Sequence, residues 1–201
     1  LDHVERIEVV RGPASAAYGD HAMAGVIHII TRSGEDGLRA IARGETGTYD
    51  TDAGSLFVGG SEGPVSASLF IDGDKTHAFR DRATFRSHDA EAKLQFRIGD
   101  RATIGLTGGY TSQVRQRPGV LTKEEMAEDR RQEQPGSEDN FSKVRRRFLQ
   151  GSIDVALAEG VSVKLVPYYH HRRDRSELSD PTYELPSTED TDVPGLTSQV
   201  Q

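Results

Sequence analysis

His88–Tyr110 reads HDAEAKLQFRIGDRATIGLTGGY, and the placing of its apolar residues decides the fold class. Ala90, Ala92, Leu94, Phe96 and Ile98 fall on every second position, with Glu91, Lys93, Gln95 and Arg97 between them. After a Gly99-Asp100 turn the alternation resumes, with Ala102, Ile104, Leu106 and Tyr110 set against Arg101, Thr103 and Thr107. Side chains two apart share one face of a strand, so each segment is a strand with one oily and one charged side, and the pair is a hairpin.

The same period recurs outward from this hairpin. Val65, Ala67, Leu69 and Ile71 alternate with Ser66, Ser68 and Asp72; Leu149, Ile153, Val155 and Leu157 alternate with Gln150, Ser152 and Asp154; Val161, Val163 and Leu165 enclose Ser162 and Lys164. Two further strands are expected around residues 38–48 and 52–60, which gives about seven, an odd number. Their connections differ in kind. Around Glu62-Gly63-Pro64, Gly99-Asp100 and Glu159-Gly160 the turns are tight, whereas residues 75–87 and 112–142 form long polar loops at the opposite ends of the strands. Tight turns on one side and long loops on the other mark a transmembrane β-barrel. The apolar face, rich in Ala, Val and Leu without any Trp, fits lipid better than an interlocking core, and Tyr110 and Tyr169 stand near the loop ends, where an aromatic belt belongs.

Composition narrows the alternatives. The chain has 201 residues, a net charge of -7 and no cysteine, which excludes disulfides and thiolate metal sites and gives no basic footprint for nucleic acid. Its mean hydropathy is -0.60, and no apolar run approaches the roughly 18 to 20 residues of a membrane-spanning helix. A β-barrel is untouched by that test, because its lipid-facing residues are diluted by every second position. Thr122 with Glu125 three residues on is a capping box inside the long loop, with Arg130 and Arg131 expected in the last turn of the short helix. His170 and His171 are neighbours on a strand and point to opposite faces, and the other histidines show no ligand spacing, so no metal site and no cofactor is expected. No nucleophile elbow or catalytic triad context accompanies the many carboxylates, so an enzyme is not expected.

The N-terminal stretch VERIEVVRGPASAAYGDHAMAGVIHIIT, Val4–Thr31, is a strand, a corner of small residues and a second strand. A phosphate cradle would need a helix after the glycines, and a strand follows instead. This stretch closely resembles the C-terminal part of the plug domain of TonB-dependent outer-membrane receptors, in which Arg-Gly-Pro, Ser, Tyr-Gly, Ala-x-Gly and an Ile/Val-rich strand follow in this order and spacing. His28 stands where that family usually has Asn, and Ala24 where it usually has a second Gly. Residues 117–132, RPGVLTKEEMAEDRRQ, are more loosely similar to the third extracellular loop of receptors for ferric chelates.

The resemblance implies an all-β chain: the C-terminal part of an α+β plug domain over residues 1–36, then an incomplete antiparallel transmembrane β-barrel over 37–201. It implies a barrel of about 22 strands in the whole protein, of which this chain is expected to be a fragment without signal peptide, TonB box, front of the plug or most of the barrel. It implies active uptake across the Gram-negative outer membrane of a scarce chelated nutrient, a ferric siderophore or ferric citrate first. The partners it implies are the TonB-ExbB-ExbD complex, an iron chelate ligand and outer-membrane lipid. Tyr18 and His21 are the candidate ligand contacts near the plug apex. Glu5, Arg6, Glu8 and Arg11 are the plug side of the plug-barrel interface, and Glu91, Lys93 and Arg97 the wall. The rival reading is a plug-less porin or adhesin barrel, which would leave Arg11–Thr31 unexplained, or a soluble β-rich binding domain.

Overall fold

The structure, a computed structural model, describes residues 3–12, 24–180 and 183–200. Two antiparallel sheets account for them. β1 (Val4–Arg11) and β2 (Gly25–Thr31) form a two-stranded hairpin. β3 (Gly37–Gly47), β4 (Thr51–Glu62), β5 (Val65–Thr76), β6 (Phe85–Ile98), β7 (Ala102–Gln116), β8 (Phe141–Ala158), β9 (Val161–Asp180) and β10 (Tyr183–Val200) form one eight-stranded meander in strict chain order. A short helix, α1 (Lys123–Glu128), lies between β7 and β8.

The strand count corrects the expected seven: β10 is the eighth. It lacks any alternation and holds Pro186 and Pro194, neither of which has an N–H to donate to a ladder. What pairs it to β9 is charge across the ladder. Asp190 lies opposite Arg173 and accepts two hydrogen bonds from its guanidinium at 2.6 and 2.9 Å, while Asp192 lies opposite His171 at 2.9 Å.

Strands also outrun their apolar stretches. β8, β9 and β10 have 18, 20 and 18 residues, where about 9 to 11 cross a bilayer. The polar stretches beyond the band therefore pair with each other, and the expected long loops shrink to residues 77–84 and 117–140. On the tight-turn side Gly63, Gly99 and Gly160 hold φ of 57°, 56° and 74°, a conformation that costs a side-chain-bearing residue about 1 kcal/mol or more.

Ladder register is unbroken from β3 to β8 and again from β9 to β10; its one shift, at Ala156/Ala158, lies at the turn end of β8. Parity is thus preserved across the wall, and each face can be followed strand to strand. On one face Leu69, Ala92, Gly108, Leu149 and Tyr169 stand in a row, as do Val65, Phe96, Ile104, Ile153 and Leu165. These side chains are open: Leu94 is 51% exposed, Phe96 46% and Ile98 48%. The alternate residues Glu91, Lys93 and Gln95 are half-buried. Among the described residues the only buried apolar side chains are Phe57 and Phe70, paired on the charged face. Oil outside and charge inside is the reverse of a water-soluble sheet, and it fits a wall whose outer face meets hydrocarbon.

Candidate functional site

The inner, charged face of the wall carries the N-terminal hairpin. Lys93 Nζ donates to the Thr31 carbonyl at 2.6 Å, and the Thr31 hydroxyl donates to Glu91 Oε1 at 2.7 Å, so the end of β2 is gripped by two neighbours on the inner face of β6. Below it, Ser68 Oγ donates to the Arg32 carbonyl at 3.3 Å and Ser66 Oγ to the Gly34 carbonyl at 2.9 Å. The linker then meets β4 through the Ser61 hydroxyl on Asp36 at 2.9 Å and the Ser61 amide on the Glu35 carbonyl at 2.8 Å.

Small residues make this approach possible. A Cβ on Gly34 would strike the Gly60 carbonyl and come within 2.6 Å of the Ala67 carbonyl, both of them backbone atoms that cannot swing away. The other anchor is aromatic: the His3 ring stacks on Phe70 with centroids 3.8 Å apart at 24°. Burial lowers the pKa of His3 from its ordinary value, and Glu91 opposes that shift in part.

The sequence-selected charges divide into two groups. Glu91 and Lys93 reach the hairpin as just described. Glu8 works inside it, accepting from Arg6 at 2.8 Å, which holds its carboxyl below the usual carboxylate range, and standing opposite His28 with 3.5 Å between oxygen and nitrogen. Glu5 meets Arg6 at 3.1 Å. Arg11 ends β1 opposite Gly25. Arg97 sits at the turn end of β6, where its guanidinium donates to the Gly63 carbonyl at 3.3 Å. Tyr18 and His21 lie outside the described residues.

At the opposite end of the wall the loops close on one another around a residue the sequence reading passed over. Arg80 donates to the carbonyls of Pro118 at 2.9 Å, Gly119 at 2.7 Å and Gln132 at 2.8 Å, tying 77–84 to both limbs of 117–140. Beside it the Asp81 amide donates to the Arg131 carbonyl at 2.7 Å, and Arg82 pairs with Glu133 at 3.0 Å. Buried Asn140 donates to the Ser179 carbonyl at 2.8 Å and receives the Ser179 amide at 2.5 Å, fastening the loop to β9. The capping box forms as expected, with Thr122 Oγ1 taking the Glu125 amide and Glu125 taking the Thr122 amide. Arg130 and Arg131 lie beyond the last turn rather than in it; the helix stops at Glu128, and Arg131 is drawn away over the Phe79 ring at 5.8 Å. No local signal in the sequence marks Arg80 or Asn140, because their partners lie 38 or more positions away.

No protein-family model matches the chain. It is 32% identical over 129 residues to the iron-regulated outer membrane virulence protein of Vibrio cholerae, covering 58% of this chain and 19% of that protein. It is 58% identical over 38 residues to the ferric enterobactin receptor PirA of Pseudomonas aeruginosa, covering 19% of this chain and 5% of that one. To the vitamin B12 transporter BtuB of Vibrio cholerae it is 33% identical over 101 residues, 45% of this chain and 16% of that protein. The chain therefore spans about a fifth or less of the length of these relatives. In fold it superposes on the ferric yersiniabactin uptake receptor FyuA of Yersinia pestis with a TM-score of 0.80 at 15% identity, over 97% of this chain and 33% of that one. The open form of the ferric-catecholate import receptor Fiu of E. coli K12 gives 0.76 at 16% identity, over 98% and 36%.

Proposed function

Because this chain belongs to the TonB-dependent receptors of the Gram-negative outer membrane, a family of transporters and not enzymes, we propose that it forms part of a gated transporter for a chelated nutrient, a ferric siderophore or ferric citrate first. Residues 1–36 are the end of its plug and residues 37–201 the beginning of its barrel. The observation that carries this reading is the seat of the hairpin: Thr31 on Lys93 and Glu91, with Ser66 and Ser68 on the linker carbonyls.

Each of those contacts is a hydrogen bond that water can replace, at a net cost of about 0.5 to 1.5 kcal/mol for the two serine bonds and about 1.5 to 3 kcal/mol for the two that involve the Lys93 and Glu91 charges. A segment held this way stays closed at rest and yields to a modest pull. That is the requirement for a stopper that must block the lumen and then shift, with force delivered by the TonB-ExbB-ExbD complex. Arg11 is assigned to lock the plug against barrel acids, and Tyr18 with His21 to touch the chelate at the plug apex. An iron supply is favoured by the relatives named for iron regulation and enterobactin. Cobalamin is the second reading, favoured by the similarity to a vitamin B12 transporter.

The test is growth of the source bacterium under iron limitation with the gene intact or deleted, fed a panel of ferric chelates, alongside a cobalamin-dependent growth assay. Loss of growth on one ferric chelate and its return on complementation is the expected result. Unchanged growth on every chelate together with a cobalamin defect replaces iron by the second reading, and no defect in either overturns the transport reading.

A further inference from the structure

The outer face of β8 and β9 changes character abruptly above the apolar band. Tyr169 and Leu149 close that band. The next same-face pair toward the loops is Arg147 opposite His171, then Arg145 opposite Arg173, then Lys143 opposite Arg175. The row of Arg145 and Arg173 lies about 13 Å along the strand from Tyr169. Like charges directly opposite on neighbouring strands destabilise a sheet, and here two such pairs stack one above the other in a chain whose net charge is negative.

Carboxylates neutralise only part of this cluster. Asp190 takes Arg173 in a two-bonded pair, and Asp192 takes His171. Arg175 lies over the Phe141 ring at 5.6 Å. Arg145 Nε is buried with no hydrogen-bond partner among the described residues. Lys143, Arg145, Arg173 and Arg175 line a groove of about 540 Å3 on this face together with Asp190 and Glu177, so that four cations meet two carboxylates there.

The geometry points to a binding site for the phosphate groups of an outer-leaflet glycolipid. The cations face outward on the wall, immediately beyond the hydrocarbon-facing rows and the Tyr110 and Tyr169 belt, at the end that carries the 117–140 loop. In a barrel of this type that end is extracellular, so the cluster stands at headgroup height in the outer leaflet. A phosphomonoester has the charge and acceptor number to bridge two opposed guanidinium groups and a lysine, and it relieves the repulsion that the ladder otherwise keeps. The inference rests on the barrel placement but not on the substrate carried.

The experiment uses the full-length receptor in detergent, with its folded state read from heat-modifiable gel mobility and its lipid adducts from native mass spectrometry. The probes are bisphosphorylated lipid A and the same glycolipid stripped of its phosphates. The wild-type protein retains the phosphorylated probe in preference to the stripped one. K143Q/R145Q/R175Q retains it about a hundred-fold more weakly, since each cation near a charged membrane surface contributes about a factor of five. Should the triple variant not fold, R175Q alone, at an exposed position, lowers retention about five-fold. Equal retention of the two probes, or a folded variant that binds like the wild type, overturns the site. Displacement of lipid A by an equal concentration of inorganic phosphate overturns the lipid assignment in favour of a free-anion site. Growth on chelates reports on transport separately from either outcome.

Discussion

The hairpin of β1 and β2 with its linker to β3, and the loop assembly of 77–84 with 117–140, are both fastened by polar contacts, yet they are fastened in different ways. The hairpin rests on side chains of the wall, Lys93, Glu91, Ser66 and Ser68, each making a single bond to it. The loops are tied by single side chains that each hold several backbone groups, with Arg80 spanning the carbonyls of Pro118, Gly119 and Gln132 and Asn140 taking both backbone groups of Ser179. Separate single bonds can be exchanged for water one at a time. A guanidinium shared among three carbonyls cannot leave without orphaning all of them at once, which is the more costly event. The lesson is that polar attachment does not by itself mean looseness; how the bonds are shared does.

The sharpest way to break this contrast is Arg80→Met in the full-length receptor. The variant should lose about 3 kcal/mol locally, so that hydrogen exchange across 117–140 speeds up about a hundred-fold while β1 and β2 are unmoved. If the loop amides exchange as before, Arg80 is not the tie. Next comes Gly34→Val, whose side chain meets the carbonyls of Gly60 and Ala67. It should cost about 2 kcal/mol of hairpin docking, seen as faster exchange of Gly25–Thr31 with the loops unchanged; an equal effect on the loops would show the two regions to be one cooperative unit. Thr122→Ala removes one half of the capping box and should weaken α1 by about 1 kcal/mol, read as faster exchange of the Glu125 amide alone.

The smallest effect is set by pH. His3 has its pKa lowered by burial against Phe70, so the docked hairpin favours the neutral ring. Its contribution is full above the ordinary value of 6.5 and is lost as pH falls through the lowered value. Rate-corrected exchange of β1 and β2 should therefore rise in mildly acidic buffer. His3→Phe keeps the stacking and should flatten that dependence; an unchanged pH profile would assign it to another group.

Legibility in the sequence followed the range of each interaction. The series from Ala90 to Ile98 reports its own face, and Leu94, Phe96 and Ile98 are exposed as a lipid-facing series must be. The Thr122–Glu125 box spans four residues and is readable for the same reason. β10 was not, because nothing within Tyr183–Val200 alternates; only the basic strand opposite makes Asp190 and Asp192 favourable there. Glu91 and Lys93 could be chosen as inward charges, but the sequence held no sign that both would meet Thr31.

Strand parity, turn positions and the helix cap were set by the sequence alone, because a side chain's face depends only on its own backbone and the nearest few residues. The seat of the hairpin, the Arg80 tie and the stacked cations of β8 and β9 were decided by the tertiary structure. They depend on register between segments about 28 to 62 positions apart, a sum over every turn between them that no local pattern encodes.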